Sequence, residues 1–198
     1  MKIFLDLGAY TGDTLTIALK AYPDFDKFYA FEPLPIHTAL LKERHNDPRI
    51  ILYEKAASNM DGTAEMYHHN KYRSTKSYSN GTSLRKDKGN VDPNDSFTVE
   101  TVDFSKFVLD NFNEKDYIVL KMDVEGAEYD ILDKMLSDGS ISYIDELYIE
   151  WHSHKLTGLH PSRHSNIVRA LRKLGIGVTG SRDDVGKLEG KVRETING

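Results

Sequence analysis

Short hydrophobic runs alternate with amphipathic stretches along most of the chain. Strands are predicted for the runs KIFLDL, KFYAFE, RIILYE, TAEMYHH, SFTVETV, YIVLKMDV and IDELYIEWH, and GIGVTG predicts a short last one. Leu15, Ala18 and Tyr22 recur at the spacing of one helix face, and apolar residues recur similarly in later stretches. Strands that alternate with helices predict an α/β fold, with a Rossmann-like, doubly wound and mostly parallel sheet and helices on both faces.

No internal repeat and no linker divides this alternation, so a single domain over residues 1–198 is predicted. Residues 70–90 are polar and aperiodic, which predicts a long loop. In doubly wound sheets, ligands bind outside the carboxyl ends of the strands, near the point where the strand order reverses. The residues that follow each predicted strand are therefore the candidates for a site.

Composition narrows the class of protein. The chain has 198 residues, of which 39% are hydrophobic and 29% charged, and its net charge of −5 argues against nucleic acid as the main partner. It has no cysteine, which excludes disulfides, thiolate catalysis and cysteine-ligated zinc. It has no apolar run long enough to span a membrane and no signal-peptide pattern before the first strand, so a cytoplasmic protein is expected.

The first candidate segment is DLGAYTGDT, at the end of the first predicted strand. Its D-x-G-x-x-x-G pattern differs from the dinucleotide-binding G-x-G-x-x-G, and it lacks the lysine of a P-loop. Gly8 and Gly12 let the backbone approach a ligand, while the carboxylates of Asp6 and Asp13 would repel phosphate and attract a cation or an amine. A strand followed by a capped helix is the alternative interpretation.

An acidic residue also ends the second predicted strand. Glu32 lies 20 residues beyond Gly12, a position from which a carboxylate can accept hydrogen bonds from both hydroxyls of a ribose. Together with the glycine turn, Glu32 predicts a ligand that contains a nucleoside. The alternative is a solvated acid before a turn that contains Pro33 and Pro35.

The strongest predicted strand runs into KMDVEGAEYDIL. In an extended segment, Lys121, Asp123 and Glu125 point to one side, so their charged groups would converge. An ordinary first helical turn, in which acids interact with the helix dipole, is the alternative. The next strand ends in YIEWHSH, which would place Glu150 and His152 beside Asp123 if the two strands are neighbours. His152 is then either a proton acceptor or a structural histidine.

These segments together resemble a known family. The blocks FLDLGAYTGDT, FEPLP, VETVDF and KMDVEGAEYDIL, in this order, resemble the FkbM-type methyltransferases, a branch of the class I S-adenosylmethionine-dependent methyltransferases. The resemblance runs from about residue 3 to residue 152, and the DVEGAE block is its most specific part. It implies a seven-stranded Rossmann-like sheet whose last strand is antiparallel.

The resemblance also implies roles for individual residues. The loop after the first strand would surround the methionine part of the cofactor, Glu32 would hold the ribose hydroxyls, and the KAASNMDG turn would lie along the adenine. Asp123 would lie near the sulfonium and the acceptor, and Tyr10, where the family often has asparagine, could add a cation–π contact. The implied cofactor-binding residues are Asp6, Gly8, Ala9, Tyr10, Gly12, Asp13, Thr14, Glu32, Pro33, Ala57, Ser58 and Asp123.

The implied reaction is O-methylation of a hydroxyl on a saccharide or a related small molecule, with S-adenosylhomocysteine as the product. We hypothesise that Asp123 positions the acceptor while His152 or Glu125 takes its proton. Lys121 and Glu150 would face the acceptor. Two rival functions stay open. One is a protein of the same fold that binds the cofactor or acts as a scaffold without catalysis. The other is a dinucleotide-dependent oxidoreductase, against which the acidic glycine loop argues.

The polar segment 70–90 bears on the acceptor, because it carries six basic side chains and one acidic one in a chain of net charge −5. If the segment is a mobile lid, Lys71, Arg73 and Lys76 would bind an anionic acceptor, whereas a solvated loop is the alternative. The histidines from His152 to His164 are irregularly spaced, so no metal is predicted, although neighbouring acids could recruit magnesium. The sequence predicts no oligomeric state.

Overall fold

The computed structural model describes residues 1–72, 81–178 and 187–188 of the chain. Its strands are β1 (Lys2–Leu7), β2 (Lys27–Phe31), β3 (Ile50–Tyr53), β4 (Ala56–Ser58), β5 (Gly62–His69), β6 (Val91–Asp103), β7 (Tyr117–Met122) and β8 (Glu146–Ile149). Its α-helices are α1 (Asp13–Ala21), α2 (Pro35–Arg44), α3 (Phe104–Asn111), α4 (Glu128–Asp138) and α5 (Pro161–Lys173). Short 3-10 turns lie at Asn70–Tyr72, Ser140–Tyr143 and Ser153–Lys155.

Five of these strands form one sheet in the order β3-β2-β1-β7-β8. Every pairing in this sheet is parallel, which confirms the predicted α/β fold. The count differs from the seven strands implied by the family resemblance, because β4, β6 and β5 form a separate three-stranded sheet. Residues 176–178, at the end of the described main segment, form no strand.

The alternation of side chains along β1 explains why the main sheet is covered on both faces. Ile3, Leu5 and Leu7 pack with residues of α3, α4 and α5. Phe4 points to the other face and packs with residues of α1 and α2. All four side chains are fully buried. A strand that is buried on both faces has a continuous hydrophobic sequence, so β1 was recognisable from its residues alone.

The face that carries Phe4 becomes polar at the carboxyl edge of the sheet. Asp6 lies two residues beyond Phe4 and is in register with Lys121 of β7. Glu32 and Glu150 continue the same alternation just beyond β2 and β8. The strand order also reverses here, since the chain leaves β1 towards β2 and β3 and later returns to β7 on the other side of β1. Ligands of doubly wound folds bind at such a point.

The turn after β1 brings two backbone segments into contact. Gly8 has a φ of +77°, and a Cβ atom at this position would lie 2.0 Å from the carbonyl oxygen of Asp123. We expect Gly8→Ala to lower the free energy of unfolding by about 2–3 kcal/mol, because alanine would combine an unfavourable left-handed backbone with a clash against main-chain atoms. Urea denaturation followed by circular dichroism measures this loss.

Gly139→Ala is the matched control for this prediction. Gly139 follows α4 with a φ of +85°, and a Cβ atom there would meet no described atom within 4 Å. This variant therefore has the cost of the backbone conformation alone, about 1 kcal/mol. Equal losses of stability in the two variants would contradict the steric role of Gly8.

Part of the segment predicted as a long loop is anchored to the rest of the fold. Ser83 pairs with Tyr67 of β5 through backbone hydrogen bonds of 2.8 and 3.1 Å. Arg85 forms an ion pair with Asp130 of α4 at 3.0 Å. The Lys88 side chain is fully buried. Residues 81–90 therefore pack against the rest of the domain. Arg85 and Lys88, two of the six basic residues counted for the lid, form contacts within the domain.

The structure does not test whether the three basic residues proposed to bind an anionic acceptor form a lid. Lys71 is exposed, whereas Arg73 and Lys76 lie outside the described residues.

Among the helices that the structure describes, none combines the length and the apolar composition of a membrane span. The cytoplasmic location stays a prediction from the sequence.

Candidate active site

A cavity opens at the carboxyl ends of β1, β2 and β7, where the sequence predicts a ligand. Its volume is about 320 Å³, within the roughly 300–1,000 Å³ of small-molecule sites. Most of the predicted site residues meet in its wall. The loop after β1 contributes Gly8, Ala9, Tyr10, Asp13 and Thr14, the end of β2 contributes Glu32 and Pro33, β4 contributes Ala57, and the end of β7 contributes Lys121, Asp123 and Glu125.

Other predicted residues of the described chain lie outside this wall. Asp6 and His152 are fully buried, so each of them acts on the cavity only through a neighbouring side chain. Gly12 directly precedes α1 and lies against His45, where a Cβ atom would be 2.6 Å from Nε2. The predicted residues that do not line the cavity are Asp6, Gly12, Ser58, Lys71, Glu150 and His152.

A buried ion pair ties the loop after β1 to β7. Lys121 Nζ lies 3.1 Å from Asp6 Oδ1, and both side chains are at most 3% exposed. The same Nζ donates a hydrogen bond of 2.8 Å to the carbonyl of Gly8. Burial raises the pKa of Asp6, although the charge of Lys121 opposes it. Burial works against the charge of Lys121, but Asp6 and Asp123 outweigh it and hold the pKa of the lysine above its ordinary value.

Glu32 is held in place by the loops that surround it. Its carboxylate accepts hydrogen bonds of 3.0 Å from the backbone N–H groups of Tyr10 and Leu34 and lies 3.2 Å from Nδ1 of His37. Glu32 is buried but still lines the cavity. A carboxylate has about four lone-pair positions, so one position remains for a ligand hydroxyl.

Tyr10 has an uncommon backbone conformation, with a φ of 50°. This left-handed conformation costs an ordinary side chain about 1 kcal/mol, whereas asparagine adopts it more readily. The Tyr10 ring packs edge-on against His37, with ring centroids 4.4 Å apart. An asparagine would adopt this backbone at a lower cost, whereas Tyr10 contributes to the cavity wall.

Four carboxylates surround the fully buried imidazole of His152. Its Nδ1 lies 2.8 Å from Glu128 Oε1, and its Nε2 faces Glu125, Glu150 and Asp123 at 3.3, 3.6 and 3.9 Å. Nε2 has no hydrogen-bond partner in the described part of the chain. The neighbouring strands β7 and β8 thus bring the two predicted acidic segments to one cluster.

The electrostatics of this cluster follow from burial and from charge. Burial raises the pKa of Asp123 to about 6, although Lys121 opposes this effect. Burial works against a charged His152, but the carboxylates of Glu128 and Glu125 outweigh it and raise the pKa of the imidazole. Burial also disfavours a charged Glu125, yet Lys88 and His152 outweigh it and lower the pKa of this carboxyl group. Neighbouring carboxyl groups thus shift in opposite directions.

The family model for the methyltransferase FkbM domain matches residues 6–176. This chain belongs to the FkbM methyltransferase family. A solved structure of methyltransferase FkbM from Methylobacillus flagellatus KT is similar over 93% of this chain, with a TM-score of 0.52 and 16% sequence identity. At this low identity the likeness shows the fold alone. The FkbM domain described here spans 43% of that longer chain. No curated protein matches the chain in sequence.

Glu125 of this FkbM domain reaches the cluster by a route that the sequence did not indicate. Strand β7 ends at Met122, and Glu125 has a left-handed φ of 55°. The alternation of side chains between the two faces of an extended strand therefore does not extend as far as Glu125. Its Oε2 lies 2.5 Å from Lys88 Nζ and 3.4 Å from Lys155 Nζ. Glu125 is thus bound by lysines from two distant loops.

Lys121, Asp123 and Glu125 do line one cavity, but Glu125 does not reach it through the alternation of an extended segment that the sequence argument assumed. The ammonium of Lys121 lies nearer to Asp6, at 3.1 Å, than to Asp123, at 3.8 Å. Asp123 and Glu125 instead share the Nε2 side of His152. The reason is the left-handed residue after the strand, which redirects the chain.

Glu128 is a member of the FkbM cluster that sequence reasoning did not include. Glu128 is the first residue of α4, yet it is fully buried and accepts hydrogen bonds of 3.2 and 3.1 Å from the N–H groups of Val124 and Gly126. It also fixes the ring of His152. The available signal was an acid at the start of a predicted helix, two residues after Gly126.

The apolar part of the cavity wall is not marked by any motif. Phe31, Leu34, Ala56, Met66, Leu84 and Val124 come from separate segments, and the sheet topology brings them together. Gly81 and Thr82 also line the cavity. The described part of the polar segment 70–90 therefore reaches the site through Gly81, Thr82 and Leu84.

Proposed function

We propose that this FkbM domain is an S-adenosylmethionine-dependent O-methyltransferase that acts on a hydroxyl of a saccharide or a related small molecule. The observation that carries the proposal is a single cavity lined by both Glu32 and Asp123. Strand β1 lies between β2 and β7, so a ligand that crosses the loop after β1 would contact both carboxylates. S-adenosylmethionine has a ribose next to a cationic sulfonium, which matches two such contacts.

The charge of the cavity wall supports this cofactor. Carboxylates of Asp13, Glu32 and Asp123 line it, and the ammonium of Lys121 is paired with Asp6. Such a wall attracts a sulfonium and an ammonium group and repels the phosphates of a dinucleotide. The same argument disfavours the rival oxidoreductase function.

Individual residues of the wall fit the parts of the cofactor. When bound, S-adenosylmethionine would supply a methyl group for transfer and leave as S-adenosylhomocysteine. Glu32 would accept a hydrogen bond from a ribose hydroxyl at its remaining position. The side chains of Leu34, Ala57 and Met66 offer an apolar surface for the adenine.

Asp123 is the residue that we assign to the acceptor hydroxyl. Its side chain is 31% exposed, and Lys121 Nζ and His152 Nε2 lie 3.8 and 3.9 Å away, beyond hydrogen-bond distance. Its carboxylate can therefore accept the hydroxyl proton, whereas Glu125 is engaged by Lys88 at 2.5 Å. This revises the sequence-based hypothesis that His152 or Glu125 takes the proton. His152 is a positioning residue behind the two carboxylates.

Thermal denaturation with candidate cofactors tests the cofactor class. At about 100 times its Kd, a ligand adds about 2.7 kcal/mol, which corresponds to a rise in Tm of roughly 5–10 °C for a chain of this size. We expect this rise with S-adenosylmethionine or S-adenosylhomocysteine and none with NAD. Glu32→Gln should reduce the rise, while Glu54→Gln should not, because Glu54 follows β3 without lining the cavity.

A rise in Tm with NAD alone would replace the proposal by the oxidoreductase function. The acceptor is then sought by measuring S-adenosylhomocysteine formation with a panel of neutral and phosphorylated saccharides. Faster turnover of the phosphorylated ones would support the anionic acceptor that Lys71, Arg73 and Lys76 predict. Cofactor binding without turnover of any acceptor would favour the rival function of a non-catalytic cofactor-binding protein.

A further inference from the structure

The cluster around His152 has the composition of a metal site. One ligand atom from each of Asp123, Glu125 and His152 lies within 4.8 Å of the other two. We propose that these three residues bind a divalent metal cation beside the cavity. Asp123 and Glu125 line the cavity, so the cation would be within reach of a bound acceptor.

The orientation of His152 is an independent observation that points to a ligand. The residue is 0% exposed, and its Nε2 has no hydrogen-bond partner among the described residues. Buried polar atoms are normally paired, and Nε2 is directed at the two carboxylates of the site. The other ring nitrogen lies 2.8 Å from Glu128. Metal-binding histidines usually donate their second N–H to a carboxylate in this way.

The balance of charge also leaves room for a cation. Four carboxylates lie within 3.9 Å of the ring nitrogens of His152. The ammonium groups of Lys88 and Lys155 contact one of them, Glu125, and Lys121 lies closer to Asp6. With a neutral imidazole, the form that binds a metal, the four carboxylates exceed the ammonium groups of Lys88 and Lys155 by two charges, which is the charge of one divalent cation.

The mixed ligand set selects the kind of cation. Carboxylates suit Mg²⁺, Ca²⁺ and Mn²⁺, whereas imidazole is a ligand of transition metals. A site with both ligand types should therefore bind Mn²⁺ more tightly than Mg²⁺. His152 is the residue that would establish this preference.

The catalytic use of the cation rests on the proposed function. A hydroxyl holds its proton far more tightly than a carboxylate does, and a bound metal cation lowers the pKa of an oxygen ligand such as water. Asp123 Oδ1 faces His152 and Oδ2 faces away towards Lys121, so one oxygen can bind the cation and the other can take the proton. With S-adenosylmethionine bound, the acceptor oxygen would bond to the methyl carbon as the carbon–sulfur bond breaks, and the electron pair of that bond would stay on sulfur.

Mn²⁺ titration of the full chain, followed by electron paramagnetic resonance without cofactor, tests the site. We expect saturable binding of one Mn²⁺ per chain, with Mg²⁺ as a weaker competitor. Asp123→Asn should weaken Mn²⁺ binding at least about tenfold, and Glu54→Gln, at the same sheet edge, should leave it unchanged. His152→Asn should abolish the preference for Mn²⁺ over Mg²⁺, which a merely structural role of the imidazole would not do.

If His152→Asn does not fold, Asp123→Asn decides, because its side chain is 31% exposed and sits at the cavity. No saturable Mn²⁺ binding, or equal binding by Asp123→Asn and the wild type, overturns the proposal. Affinity for S-adenosylmethionine is measured separately by calorimetry. Mn²⁺ binding without cofactor binding would support the cation site and refute the methyltransferase function, and the opposite result would refute the cation site alone.

Discussion

Asp123→Asn is expected to lower the turnover of methyl transfer by about 10²–10⁴-fold while S-adenosylmethionine still binds. Asparagine has nearly the same shape, but its amide cannot accept the proton of the acceptor hydroxyl. The side chain is 31% exposed in the cavity wall, so the substitution should not disturb the core. S-adenosylhomocysteine formation at saturating cofactor measures turnover, and calorimetry on the same preparation measures cofactor affinity.

Glu54→Gln is the control, because it removes one carboxylate from the same edge of the sheet. Glu54 follows β3, its side chain is 50% exposed in a pair with Lys42, and it does not line the cavity. Turnover should be unchanged in this variant. If Asp123→Asn also keeps full turnover, the proton-accepting role returns to Glu125 or His152. A loss of cofactor binding in parallel with turnover would show that Asp123 holds the cofactor instead.

The parts of the site that the sequence could predict follow from local patterns. The loop after β1 and Glu32 come directly after hydrophobic runs, and parallel strands place their carboxyl ends at one edge. Gly8 was expected to let the backbone approach a ligand. The structure shows a different close approach, between the backbone of Gly8 and the carbonyl of Asp123, which is a contact between two loops that no local pattern contains.

The parts that the sequence could not predict depend on distant contacts. Lys88 and Lys155 reach Glu125 from loops 37 residues before it and 30 residues after it. The left-handed backbone at Glu125 breaks the alternation on which the sequence argument relied. The contact between Glu128, at the start of α4, and His152, after β8, joins residues that are 24 positions apart in the sequence. Such contacts are fixed by the tertiary fold and leave no periodic signal.

One strand of the separate three-stranded sheet, β5, differs in burial pattern from the strands of the main sheet. Strand β5 has the sequence GTAEMYHH, and fully buried side chains alternate with less buried ones in its second half. This pattern is typical of a strand with one face towards solvent. Strands β1 and β7 are buried almost throughout. The sequence analysis predicted only a strand at TAEMYHH, and the structure shows that β5 pairs antiparallel with β6, outside the main sheet.

Lys121→Met is expected to lower the free energy of unfolding by about 3–5 kcal/mol. Methionine is similar in length but uncharged, so it would leave the carboxylate of Asp6, which is 0% exposed, without its counter-charge. It would also remove the hydrogen bond to the carbonyl of Gly8. Urea denaturation measures the loss. Lys106→Met is the surface control, because the Lys106 side chain is 58% exposed in its pair with Asp110 and such pairs contribute about 0–1 kcal/mol.

A second substitution separates lost charge balance from lost packing. In Asp6→Asn combined with Lys121→Met, no unpaired buried charge remains, so most of the stability should return. A double variant no more stable than Lys121→Met alone would contradict the role of charge and favour packing. If stability returns but S-adenosylmethionine no longer raises the Tm, the ion pair serves the site, because it holds the loop after β1 against β7 where Gly8 and Asp123 meet.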